Sequence, residues 1–137
     1  MAFRKDWAQP APGPQGFSRT MKAFGRKVNL SVADLGTTNN VVGLFMIPKD
    51  VIITGMIGPA VPALGTALVL SIGDAGSPAR YLSASTIGAA GGALPAMATT
   101  GMFYRTTADT EVQLLIATQS SAPVAGILEL YLTGIVL

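Results

Sequence analysis

Short apolar segments separated by turns run through most of this chain and constrain its fold more than any other feature. In KVNLSVA, the apolar Val28, Leu30 and Val32 alternate with polar residues, which is the two-residue period of a strand with one buried face. Glycine, proline, asparagine and serine separate the segments, and almost no stretch has a helical period. The pattern predicts an all-β domain, either a sandwich or a barrel. The predicted strands cover residues 27–33, 41–47, 51–57, 67–73, 79–85, 101–107, 111–118 and 125–137.

Charged side chains are scarce. They make up 12% of the 137 residues, about half of the usual fraction, whereas hydrophobic residues make up 50%. This length predicts one domain with a hydrophobic core. Because a free monomer normally carries more surface charge, the composition predicts that copies of the chain or a partner cover much of the surface.

The charges that exist are unevenly distributed. Residues 1–27 hold six lysines and arginines against one aspartate, whereas residues 28–137 hold three against six acids. The distribution predicts a basic arm, residues 1–26, on a mildly acidic body, residues 27–137. The six cations of residues 1–27 and the aromatic rings between them would permit nucleic-acid binding. Because the charges are dispersed and the rest of the chain is acidic, docking on an acidic protein surface is the favoured interpretation.

Two patterns describe the predicted arm. Prolines at three alternate positions, Pro10, Pro12 and Pro14, favour an extended, polyproline-like path. After them, Ser18 is a helix-capping residue type and Gly25 a helix-ending one. The sequence therefore predicts a short helix between the two, with Phe17, Met21 and Phe24 on one face.

Catalytic and metal-binding side chains are few. The chain has no cysteine and no histidine, which excludes disulfides, thiolate metal sites and the nucleophile–histidine pairs of hydrolases. Among seven carboxylates, only Asp109 and Glu111 lie close in sequence. On a strand the two side chains would point to the same face. We interpret them as the solvated start of a strand rather than as a general acid and base. The sequence predicts no enzymatic activity, no cofactor and no metal.

One uncharged stretch is long enough to cross a bilayer. It runs over residues 51–73, between two aspartates, and contains Pro59, Pro62 and four glycines. Two prolines near its middle would break the hydrogen bonds that a spanning helix needs. Two short buried strands around a turn are the favoured interpretation, and a membrane-active protein is kept as an alternative.

The segment SIGDAGSPARYLSAS, residues 71–85, is the only glycine-rich turn that contains charges. It lacks the Lys-Ser/Thr pair and the following helix of a phosphate-binding loop. We predict a structural turn, in which Asp74 accepts backbone hydrogen bonds and Gly76 supplies an unusual φ. Arg80 is predicted to fold back and pair with Asp74.

A second turn-rich segment, IGAAGGALPAMATTG, residues 87–101, has no charge over fifteen residues. One interpretation is a loop of small residues. The alternative is that it packs against a neighbouring copy, because small residues let two backbones approach closely.

The order of these segments resembles the capsid decoration (cement) and head-fibre proteins of tailed bacteriophages. The resemblance covers residues 27–137 and rests on LVLSIGDAGSPARYLSAS, on GMFYRTTADTEVQLLIAT and on the apolar last strand, AGILELYLTGIVL. The arm lies outside it. The positions that carry the resemblance are Ser71, Gly73, Asp74, Arg80, Tyr81, Leu82, Tyr104, Ala108, Asp109 and Thr110.

The resemblance implies an antiparallel, jelly-roll-like β-sandwich that acts in the virion. Such proteins are often trimers that sit on the outer capsid and clamp neighbouring subunits of the major capsid protein against internal DNA pressure. No nucleic acid, membrane or small-molecule substrate is expected as a partner. The residues predicted to contact the capsid are Phe3, Arg4, Lys5, Trp7, Phe17, Arg19, Lys22, Phe24 and Arg26.

Two further functions stay open. One is a head-fibre base, a tail protein or a minor capsid component. The other is a carbohydrate-binding module for adhesion, which would need exposed aromatic rings on the body. The candidates for that role are Tyr81, Phe103, Tyr104 and Tyr131.

Overall fold

The computed structural model describes residues 20–137. This part of the chain contains nine strands and two single-turn helices. The strands are β1 (Thr20–Leu30), β2 (Val41–Ile47), β3 (Val51–Ile57), β4 (Gly65–Thr66), β5 (Val69–Gly73), β6 (Leu82–Ser85), β7 (Thr110–Thr118), β8 (Ala122–Pro123) and β9 (Gly126–Val136). The helices are α1 (Val32–Leu35) and α2 (Ile87–Ala90).

The strands form two antiparallel sheets that pack on one core. The three-stranded sheet has the order β1-β9-β3, and the four-stranded sheet has the order β2-β7-β5-β6. Strands β4 and β8 form a separate two-stranded ribbon. The predicted all-β sandwich is confirmed.

Strand β9 organises the three-stranded sheet from its centre. It pairs with β1 without interruption from Thr20 opposite Val136 to Leu30 opposite Gly126. Its alternate residues Leu128, Leu130 and Leu132 point into the core, since all three side chains are buried. Residues directly opposite each other share a face, so the intervening β9 residues and their β1 and β3 partners form an outer face.

The core is aliphatic and continuous. Twenty buried apolar residues from both sheets and their connections form one cluster. The four-stranded sheet supplies Ile47, Leu114 and Ile116, and the three-stranded sheet supplies Ile53 and Leu130, all at most 1% exposed. Each such side chain stabilises the fold by roughly 1.5–3 kcal/mol relative to exposure, which accounts for a sandwich without disulfides.

The start of the sheet differs from the prediction. Residues 20–25, expected to be helical, are strand, because β1 continues its ladder with β9 as far as Thr20. The helix prediction is therefore wrong. The sheet begins seven residues before residue 27, where the sequence placed the body, and residues 20–26 belong to the sandwich. The predicted polyproline-like path lies outside the described residues.

A second correction concerns residues 101–107, predicted as a strand. This segment consists of turns and a single bridge between Arg105 and Ile52 of β3. The segment 87–101, for which one interpretation is a loop of small residues, begins with the short helix α2. The first predicted strand ends at Leu30, because Ser31 caps α1 and forms a capping box with Asp34.

The uncharged stretch at 51–73 forms buried strands, as the sequence predicts. It holds β3, β4 and β5, joined by an irregular Gly/Pro segment. Among residues 20–137, no helix has the length and the apolar character needed to cross a membrane.

Candidate functional site

The corner at residues 74–80 is built around one buried carboxylate. Asp74 Oδ1 accepts the Ser77 backbone N–H at 2.8 Å, and Asp74 Oδ2 accepts Arg80 Nε at 2.7 Å. Backbone bonds also join Asp74 and Ser77 in both directions. The predicted pairing of Arg80 with Asp74 is present in the structure.

Arg80 holds this corner against a neighbouring segment. Its guanidinium carbon lies 3.7 Å from the centroid of the Tyr104 ring, within cation–π distance. Burial lowers the pKa of Arg80, but the hydrogen bond and charge of Asp74 outweigh it and raise the pKa overall. The group therefore stays charged, and it contacts both Asp74 and the Tyr104 ring.

Gly76 does not have the predicted unusual φ. The glycines with positive φ in residues 20–137 are Gly65, Gly91 and Gly92. A Cβ built on Gly76 would meet Asp74 Oδ1 at 3.4 Å, which is ordinary contact. The turn closes through the Asp74 side chain and does not need a left-handed glycine.

A shallow open depression of about 300 Å³ lies beside the corner. Asp109 and Glu111 line it together with Asp74. Asp109 accepts the Lys49 backbone N–H at 3.0 Å, and Glu111 accepts from the Gln113 side chain. Within residues 20–137, no three metal-ligating side chains are grouped in a way that could hold an ion.

Tyr81 lies between this corner and the core. Its side chain is fully buried, and its hydroxyl has no hydrogen-bond partner among the described residues. Burial, together with the nearby charge of Asp74, raises the pKa of Tyr81. A buried ring of this kind cannot stack on a sugar.

The other candidate sugar-binding aromatics do not form a platform with it. Tyr104 is half-buried against Arg80, and Tyr131 is half-buried with its hydroxyl donating to Glu129. Phe103 is 69% exposed. Of the four rings, one is therefore fully available on the surface.

Three predicted capsid-contacting residues lie on β1. Phe24 packs against the core, and Arg26 Nε donates to the Leu44 carbonyl at 2.6 Å. Lys22 is exposed on the same strand. The other six residues, Phe3, Arg4, Lys5, Trp7, Phe17 and Arg19, lie outside the described part of the chain.

The outer face of the three-stranded sheet is unexpectedly apolar. Met21, Ile57 and Ile127 are each more than half exposed on it. By register, Met21 lies opposite Ile135, and Ile57 lies opposite Tyr131. The sequence of β9 contains this signal, because Ile127, Tyr131 and Ile135 alternate with the buried leucines.

Beside this face, Met102 and Phe103 project from a tight turn next to β3. They are 42% and 69% exposed. Phe103 N donates to the Ile53 carbonyl at 2.7 Å, and Ile53 N donates to the Tyr104 carbonyl at 2.9 Å. We call these two residues the Phe103 knob. The sequence did not indicate it, because the segment was predicted to be a strand.

Two solved structures share this fold. A chain of the cyanophage Pam1 capsid asymmetric unit matches with a TM-score of 0.76 and 28% sequence identity, over 96% of this chain and 96% of that chain. A chain of the capsid of Ralstonia phage GP4 matches with a TM-score of 0.67 and 20% identity, over 94% of this chain and 90% of that chain. No protein-family model and no curated protein matches the sequence.

Both neighbours come from phage capsid structures. The second likeness shows a shared fold, and the first adds a sequence similarity that extends over nearly the whole of both chains. The first likeness supports a structural role in a phage virion, in association with capsid proteins.

Proposed function

We propose that this chain is a capsid decoration, or cement, protein. In this proposal it binds the outer surface of a phage capsid as a homotrimer and stabilises the shell against the pressure of packaged DNA. One observation carries the proposal: the 28% identity and common fold with a chain of a phage capsid asymmetric unit, over 96% of each chain.

The body carries few charged side chains, which supports a role in which other subunits cover much of its surface. Two of its cations, Arg80 and Arg105, are paired within the chain with Asp74 and Asp50. The exposed apolar side chains on the outer face of the three-stranded sheet supply the kind of area that protein interfaces cover. The sandwich acts in this proposal as a rigid body that other subunits contact.

The amino-terminal segment supplies the proposed attachment to the major capsid protein. Residues 1–19 carry Arg4, Lys5 and Arg19 together with Phe3 and Trp7. Phe17 belongs to the same segment. Aromatic and arginine side chains carry most of the binding energy in many interfaces, and acidic patches on the capsid are the complementary surface. Lys22 continues this basic character onto β1.

The test is to locate the protein on a particle. Particles that lack the chain are incubated with purified full-length protein and imaged by cryo-electron microscopy. The proposal expects density on the outer capsid surface, at threefold or quasi-threefold positions, and survival of the decorated particles to a higher temperature. Density confined to a vertex, tail or fibre base would instead identify a different virion component.

A binding measurement complements the imaging. Decoration predicts saturable co-sedimentation with capsids at a fixed number of copies per particle. Bovine serum albumin serves as a control for non-specific adsorption. Absence of saturable binding to intact capsids would overturn the decoration role.

A further inference from the structure

The backbone of Phe103 is strained, although the side chain of Phe103 is mostly exposed. Phe103 has φ of +60°, a region that bulky residues rarely adopt, and its side chain is 69% exposed. An exposed ring gains little from burial in its own fold. Strain of this kind persists at binding sites, where a partner uses the side chain that it presents.

The turn that presents Phe103 is firmly attached at both ends. Gly101 packs closely on the Tyr81 ring, and Thr100 Oγ1 donates to the Arg80 carbonyl at 2.8 Å. Backbone bonds join Phe103 and Tyr104 to Ile53 of β3. The knob is therefore preorganised, which lowers the entropy cost of inserting it into a partner.

An apolar hollow lies further along the same strand. It has a volume of about 410 Å³. Its lining residue Gly58 packs closely on β9, because a Cβ there would lie 2.6 Å from the Glu129 carbonyl oxygen. The lining residues are Met56, Ile57, Gly58, Ala60, Ala93 and Leu94, none of which is charged.

One charged side chain lies beside the knob and one lies beside the hollow. Arg105 follows the knob and, through its bridge to Ile52, lies along the edge of the three-stranded sheet. Glu129 accepts a hydrogen bond from Tyr131, which lies opposite Ile57 of the hollow. An arginine thus accompanies the apolar knob, and a glutamate accompanies the apolar hollow.

A second copy of this chain fits this pattern. Lys27 and Glu129 lie opposite each other in the ladder, and Arg105 pairs with Asp50, so this side of the sandwich is balanced in charge. Two copies can therefore approach through it without net repulsion. The side that carries Asp109 and Glu111 has no such balance, because both residues are acidic.

We infer that the Phe103 knob of one copy inserts into the Met56–Ile57–Leu94 hollow of a neighbouring copy. The inference rests on the proposed function only in that it identifies a contact of the proposed oligomer. Contacts of this head-to-tail kind close into rings when the rotation between copies permits. The inferred contact also places Ala93 and Leu94, which belong to the small-residue segment 87–101, against the neighbouring copy.

Disulfide trapping tests the contact directly, since the chain has no cysteine of its own. Full-length Met102→Cys and Ile57→Cys proteins are mixed in equal amounts and oxidised. The inference expects a covalent dimer that contains one of each protein, at least ten-fold more abundant than in a matched mixture of Met102→Cys with Val124→Cys. Val124 is as exposed as Ile57, at 55% against 53%, but does not line the hollow. Equal yields in the two mixtures would overturn the inference.

The mass of the protein in solution gives a second measurement. Light scattering is expected to show an oligomer for the wild-type chain and a shift toward the monomer for Phe103→Ala, at an unchanged unfolding temperature. A monomeric wild-type protein, or an oligomer unaffected by Phe103→Ala, would overturn the inference. Val124→Ala is the control and is expected to keep the wild-type mass.

Capsid binding separates this inference from the proposed function. If trapping succeeds but the protein does not bind capsids, the inference stands and the decoration role fails. If the protein binds capsids while trapping fails, the decoration role stands and the inference fails. Loss of capsid binding in Phe103→Ala of a protein that is monomeric in solution would assign the knob to the shell and overturn the inference.

Discussion

Arg80 Nε donates to Asp74 Oδ2 at 2.7 Å, and the two side chains are only 18% and 5% exposed. The same carboxylate caps the backbone N–H of Ser77, so one side chain closes the turn and anchors the returning strand. This ion pair is the main polar feature of the corner, and several outcomes depend on it.

Removing the Asp74 carboxylate should destabilise the protein strongly. Asp74→Ala leaves Arg80 without its partner and the Ser77 N–H without its acceptor, and loss of one member of a buried pair costs about 3–5 kcal/mol. We expect a loss of about 3 kcal/mol in the free energy of unfolding, measured by urea denaturation. The control is Arg105→Ala, which breaks the exposed pair with Asp50 and should cost less than about 1 kcal/mol. Equal effects of the two substitutions would show that the buried pair has no special role.

Two glycines of the same corner should respond differently to alanine. A Cβ on Gly73 would lie 2.6 Å from the Pro78 carbonyl oxygen, which is backbone and cannot move aside cheaply. We expect Gly73→Ala to cost at least about 2 kcal/mol, by analogy with overpacked cores. Gly76→Ala should change stability by less than about 0.5 kcal/mol, like most surface substitutions, since its φ is not positive and a Cβ there would make only ordinary contacts. Thermal unfolding of both variants is the measurement, and the reverse order would contradict the geometry of this turn.

Tyr81 should make the fold sensitive to alkaline pH. Burial raises the pKa of Tyr81 above its value in the unfolded chain, which is about 10. Above that pH the unfolded chain releases a proton that the folded chain keeps, so stability is full below about pH 10 and falls as the pH rises further. The measurement is the free energy of unfolding between pH 8 and 11, compared in the wild type and Tyr81→Phe.

Tyr81→Phe should reduce this alkaline loss. The hydrogen bond to Glu129 raises the pKa of Tyr131 as well, so the slope is not expected to vanish in the variant. At pH 8 the variant should be as stable as the wild type or up to about 1 kcal/mol more stable, because it removes a buried hydroxyl that has no partner among the described residues. Parallel pH curves for the two proteins would contradict the assignment to Tyr81.

Truncation at two points should separate attachment from folding. Deletion of residues 2–19 leaves β1 intact, so we expect an unfolding temperature within a few degrees of the wild type and a loss of capsid binding. Deletion of residues 2–26 also removes seven of the eleven β1 residues, together with Phe24, and should destabilise the sandwich. Thermal unfolding and co-sedimentation with capsids measure the two effects. Unchanged capsid affinity after the shorter deletion would refute the proposed attachment through this segment.

Strands with a clear pattern were predictable from the sequence alone. Val41–Ile47, Val51–Ile57 and Gly126–Val136 are apolar or alternating segments between turn residues, and the structure has strands there. The pairing of Arg80 with Asp74 was also predictable, because the two charges flank a tight turn. These features depend on residues that are close together in the sequence, so a local sequence pattern is enough to predict them.

The start of β1 was not predictable in this way. Phe17, Met21 and Phe24 have helical spacing, yet residues 20–25 form a strand because β9, more than a hundred residues later, offers an eleven-residue ladder. Tertiary pairing outweighs a local helix preference that is worth a few tenths of a kcal/mol per residue. Residues 101–107 show the reverse, since their apolar pattern predicts a strand but only Arg105 forms a bridge.

The sequence by itself determined the class of the fold, the single core and the absence of histidine and cysteine chemistry, because these follow from composition and from the two-residue period. Only the tertiary structure decided which apolar residues remain exposed. Phe103 and Ile57 have the same apolar character as buried residues such as Tyr81 and Ile53. What separates them is sheet register and the turn at residues 99–104, which bring distant segments together and leave one apolar face without a partner in the described chain.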